Sequence, residues 1–102
     1  MIVKMTIDLA RGFEPWKDMF IKNEHKLNAH GGRLVFAGTE KENDNKLTII
    51  MDFDSPDALK SFAGDEELAK IRTDAGAMLE TGMVTMMSSE SFTNTWYKIL
   101  NH

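Results

Sequence analysis

Cysteine is absent from this 102-residue chain, which excludes disulfide frameworks, thiolate metal sites and cysteine nucleophiles. No run approaches the ~20 apolar residues that a membrane-spanning helix requires. The first residues, Met1-Ile2-Val3-Lys4-Met5-Thr6, alternate in polarity. They have neither a basic leader nor a continuous apolar stretch, so they read as a strand rather than a signal peptide. An excess of basic charge is also missing: 12 Lys and Arg face 16 Asp and Glu, for a net charge of −4. That balance opposes attraction to a polyanion. The expectation is a cytoplasmic protein with neither a nucleic-acid nor a membrane partner.

Repeats, linkers and low-complexity tracts are also lacking, and the length suits one hydrophobic core. Residues 1–102 are therefore read as a single domain. What the chain has in quantity is methionine, eight residues in all. Met is unbranched and polarizable, so it suits both irregular core packing and contact with a flexible apolar ligand.

Hydrophobic periodicity gives the element order. Val3, Met5, Ile7 and Leu9 alternate with Lys4, Thr6 and Asp8, the pattern of a strand with one apolar face. Arg11-Gly12 breaks it, Pro15 is tolerated in a first helical turn, and a helix to about Ala29 ends at Gly31-Gly32. Phe13, Trp16, Phe20 and Leu27 form its apolar stripe, with Asp18, Lys22 and His25 pointing away. Two β-rich runs, Arg33 to Thr39 and Lys46 to Asp54, read as a hairpin turning at Asn43-Asp44-Asn45. Ser55-Pro56 starts a second helix. Gly64-Asp65 interrupts that helix, and a segment from Glu66 then places Leu68, Ala75 and Leu79 on one face unless Gly76 ends it. Met83 to Ser89 reads as the last strand. Residues 93–102 read as a C-terminal extension, in which Trp96 and Tyr97 join Phe92 as an aromatic cluster.

The order βαββαβ predicts an α+β, ferredoxin-like domain with two helices over one face of a four-stranded antiparallel sheet. On the other face Lys4, Thr6 and Asp8 are expected beside Val35, Ala37, Ile50, Val84 and Met86, a mixed surface large enough to suggest a partner. The element order, the aromatic helix with Phe13, Trp16 and Phe20, the Gly-rich entry to the second strand and Asp54-Ser55-Pro56-Asp57 together resemble the dimeric α/β barrel superfamily. The resemblance spans about residues 1–92. The superfamily includes antibiotic-biosynthesis-monooxygenase-like, stress-responsive and haem-degrading proteins, and the resemblance implies a homodimer without fixing an activity. The Asn, Trp and His set of the haem-degrading members is not matched, since neither Trp nor His occurs in the second helix or fourth strand.

Candidate site residues come from polar groups on apolar faces. Asn23 falls between Trp16 and Leu27 on the first helix, where its amide needs a partner, either a sheet or loop carbonyl or a ligand. His30, about 40° from the stripe centre, can reach the same space. Arg72 lies about 40° from the apolar face of the second helix, poised to hold an acid head group or to snorkel to solvent. Trp16, Phe20, Asn23, His30 and Arg72 are therefore the candidate ligand-binding set. Asp52 is read either as an ion-pair partner of Lys4 or as a buried general base. His25 and His30, five apart, point about 140° from each other on a helix, so no metal site is expected. Ser88, Ser89 and Ser91 have no identifiable histidine partner, which argues against a serine nucleophile. The leading expectation is a cofactor-free homodimer binding a small apolar or amphipathic molecule, carboxylate-bearing or fatty-acid-like, in a cleft between helices and sheet. The alternatives are a cofactor-free monooxygenase- or isomerase-like enzyme and a structural or assembly protein.

Overall fold

The computed structural model describes residues 1–92. Its order is β1 (Ile2–Leu9), α1 (Phe13–Ala29), β2 (Gly32–Glu40), β3 (Asn43–Phe53), α2 (Pro56–Ala63), α3 (Glu66–Asp74) and β4 (Ala77–Met86). The sheet is antiparallel, ordered β2-β3-β1-β4, and the fold is the expected ferredoxin-like α+β unit. No helix among the described residues is long and apolar enough to cross a membrane.

Strand alternation builds the core. Val3, Met5, Ile7 and Leu9 of β1 and Leu47, Ile49, Met51 and Phe53 of β3 are all buried on one face. Trp16 and Leu27 of α1, Leu59 and Phe62 of α2, and Leu68 of α3 close over it. Two devices set the helix starts. Ser55 accepts the Ala58 N–H at 3.1 Å with Pro56 in the first turn, and Asp65 accepts the Leu68 N–H at 3.0 Å. At α1 the N-cap residue is Gly12, with φ +78°, and it has no side chain to offer. The caps come from β3 instead: Asn45 Oδ1 accepts the Gly12 N–H at 2.8 Å and Asp44 Oδ2 the Phe13 N–H at 3.0 Å.

Four expectations are corrected by this arrangement. The hairpin turns at Lys41-Glu42 rather than Asn43-Asp44-Asn45; these three residues open β3, from which Asp44 and Asn45 serve the start of α1. Gly76, with φ +105°, ends α3, so β4 begins at Ala77 and Leu79 is a strand residue. The outer face also has a different membership. A bulge between Leu34 and Phe36 shifts the alternation of β2, placing Phe36 opposite Ile50 and turning Ala37 inward opposite Ile49. On β4, Val84 and Met86 pair with Met5 and Val3 on the helix side, and Met83 faces outward opposite Thr6. The fourth correction concerns Asp52, which lies opposite Ile2 and Arg33 while Lys4 lies opposite Ile50 and Thr85. Asp52 meets the Met1 amino group at 3.0 Å and Arg33 at 3.6 Å, so the expected Lys4–Asp52 pair is not formed. Asp8, for its part, pairs with Lys46 at 2.8 Å. The aromatic residues Trp96 and Tyr97 lie outside the described residues; Phe92 is exposed.

Candidate functional site

The five candidate side chains divide between two places. Along α1, residues three and four apart share a face, and Phe13, Trp16 and Phe20 use that spacing to stack. Their ring centroids lie 5.9 and 5.4 Å apart at interplanar angles of 25° and 21°. Trp16 is 4 % exposed, whereas Phe13 and Phe20 are only half-buried and border the core. Asn23 donates its amide to the Met19 carbonyl at 2.9 Å, one turn back in its own helix. That amide N–H is thus satisfied within the helix, not by the sheet.

The second place is the junction of α1 with α2 and α3. His30 follows α1 directly and is held through its backbone N–H by the Leu27 carbonyl at 3.1 Å. Both ring nitrogens are engaged. Nδ1 lies 2.6 Å from Ser61 Oγ on α2, and Nε2 lies 2.8 Å from Asp65 Oδ2 at the start of α3. The ring edge meets Phe62 at a centroid distance of 6.2 Å. Arg72, in the last turn of α3, sits over the same Phe62 ring, with its guanidinium carbon 5.0 Å from the centroid.

Electrostatics follows from this packing. Burial lowers the Arg72 pKa from the ordinary guanidinium value, with the nearby Asp65 charge opposing that shift. Arg72 Nε is buried and has no hydrogen-bond acceptor among the described residues. The Asp65 carboxyl pKa is lowered chiefly by the Leu68 N–H bond and next by its bond to His30. Among the described residues no three His, Asp or Glu side chains gather to hold a metal ion.

Sequence reasoning found His30 and Arg72 but not Ser61, Phe62 and Asp65 beside them. Asp65 was visible only as part of the Gly64-Asp65 interruption of the second helix; that one of its oxygens meets His30 depends on the angle between α1 and α3, which periodicity does not encode. Ser61 carries no local signal at all.

The chain matches no protein-family profile and no curated protein by sequence. Its fold does have solved counterparts. SnoaB of Streptomyces nogalater, a cofactor-independent oxygenase, aligns with a TM-score of 0.63 at 13 % identity, over 91 % of this chain and 96 % of SnoaB. A protein of Agrobacterium tumefaciens aligns at 0.61 and 18 % identity, over 92 % and 98 %. A putative antibiotic biosynthesis monooxygenase of Deinococcus radiodurans aligns at 0.55 and 14 % identity, over 91 % and 97 %. At these identities the likeness is one of fold, and the chain takes its place among proteins with the ferredoxin-like fold of the antibiotic-biosynthesis monooxygenases.

Proposed function

We propose that this protein is a homodimeric, cofactor-free barrel that binds a small amphipathic molecule, carboxylate-bearing and fatty-acid-like, between helices and sheet of each subunit. The observation that carries the reading is Arg72: its guanidinium is largely withdrawn from water, and its Nε–H is buried without an acceptor among the described residues. A buried donor left unsatisfied is costly, and a carboxylate admitted by a shift of the Arg72 side chain would satisfy it with a charge-assisted bond. Phe62 lies beneath Arg72, and the half-buried Phe20, stacked on the buried Trp16, is the apolar side chain of α1 open to the remainder of such a ligand. Asn23, already bonded within α1, and His30 would complete the polar lining. A cytoplasmic setting suits a chain without cysteine.

Native mass spectrometry of freshly purified protein tests the reading by reporting subunit count and any retained small molecule. Titration of a medium-chain fatty acid against the wild type and Arg72→Gln then tests the contact. Loss of one charged hydrogen bond, about 1.5–3 kcal/mol, weakens binding roughly 10- to 100-fold. Equal affinity of the two proteins removes Arg72 from the site. The likeness of fold to SnoaB favours a second reading, cofactor-free oxygenation or isomerisation of an easily deprotonated substrate, with His30 as the base.

A further inference from the structure

Beyond ligand binding, we propose that Ser61, His30 and Asp65 form a nucleophile, base and orienting carboxylate that can take an acyl group from a small ester. The proton positions follow from the partners. Asp65 has its pKa lowered and offers only acceptor oxygens when ionised, so His30 Nε2 donates to Oδ2 across 2.8 Å. In the neutral imidazole, Nδ1 then carries the lone pair, and it accepts the Ser61 hydroxyl hydrogen across 2.6 Å. A lone pair aimed at a serine O–H, with the far nitrogen held by a carboxylate, is the arrangement that activates a serine.

Asp65 and His30 are each held by contacts outside the trio. Asp65 Oδ1 is tied to the Leu68 N–H at 3.0 Å, which leaves Oδ2 for the imidazole. The His30 ring rests edge-on against Phe62, and its backbone is bonded to the end of α1. Ser61 is exposed, so a carbonyl can approach its oxygen. Arg72, over the same Phe62 and carrying a donor without an acceptor, is the cation of this cluster best suited to a developing oxyanion or to an anionic substituent of the substrate.

In the acylation step Ser61 Oγ bonds to the ester carbonyl carbon while its proton passes to His30 Nδ1. The carbon–alkoxide bond then breaks, and His30 returns the proton to the departing alcohol. Water repeats the sequence, releasing the acid and restoring the serine. No oxidant, reductant or metal enters the balance.

The test is phosphonylation of the full chain by diisopropyl fluorophosphate, followed by peptide mapping and intact mass. The expected result is one adduct on Ser61, formed far faster than on Ser88 or Ser89. Ser61→Ala, which removes the hydroxyl and its bond to His30, should abolish that adduct. His30→Gln, checked for folding by circular dichroism, should slow it on the order of 100-fold or more. Adduct formation at Ser61 no faster than at Ser88 overturns the proposal without needing any variant, and an equal rate in folded His30→Gln removes the base. Because the readout is a covalent bond to Ser61, its failure is separable from failure of the fatty-acid titration.

Discussion

Asp65 divides its carboxylate between two elements, accepting the Leu68 N–H with one oxygen and facing His30 with the other. Both contacts favour the ionised form, so its pKa in the folded chain lies below the ordinary 3.8. The sign of the linkage follows. Below 3.8 the unfolded chain binds a proton that the folded chain still resists, so stability falls as pH drops. The Asp65 contribution is complete above the unfolded value and is lost as pH falls through the folded one; His30 and Arg72 are the charged or titratable groups that face it. In urea denaturation as a function of pH, wild type should exceed Asp65→Asn by a constant margin near neutrality. That margin should shrink below pH 3.8. A margin independent of pH down to 2 would mean that the ionised carboxylate adds nothing beyond the cap an amide can also supply.

The clearest example of elements completing one another is the start of α1, where β3 provides the side chains that Gly12 cannot. Asn45→Ala should therefore destabilise the protein by about 1 kcal/mol, the usual worth of a helix cap, although residue 45 lies in a strand. Asn43, whose side chain accepts the Asn45 N–H at 3.0 Å within β3, should matter less. Urea midpoints for the two alanine variants make the comparison; a larger loss at Asn43 would show turn chemistry outweighing the cap. The same residues explain what the sequence made legible. Strand β1 and helix α1 were readable because their apolar periods are local, and the start of α2 because Ser55-Pro56 is a local signal. Asn43-Asp44-Asn45 misled because two of these turn-forming residues, Asp44 and Asn45, were at work on a distant helix. The bulge at Val35 was invisible, since an unpaired residue is defined only against its partner strand. His30 and Arg72 were found as polar residues near apolar stripes, but their meeting around Phe62 is a property of helix packing.

For the whole molecule, the bulges decide which surface is available to a partner. They place Phe36, 55 % exposed, and Met83, 69 % exposed, on the face away from the helices, together with Ile50 and Met78. Large apolar side chains clustered on an otherwise polar sheet suit burial against a second copy in the proposed homodimer. Phe36→Asp and Met83→Asp, each placing a charge on that face, should shift the protein from dimer to monomer by at least 10-fold in dissociation constant, with circular dichroism unchanged. Sedimentation velocity over a concentration series measures this, and unaltered dimers in both variants would move the interface elsewhere. The distant cap on α1 also bears on the order of folding. Its two hydrogen bonds join residues 33 and 31 positions apart, so the first turn of the helix cannot be completed until the intervening chain has closed. A peptide cut to α1 alone lacks both of these caps and should fray at that end.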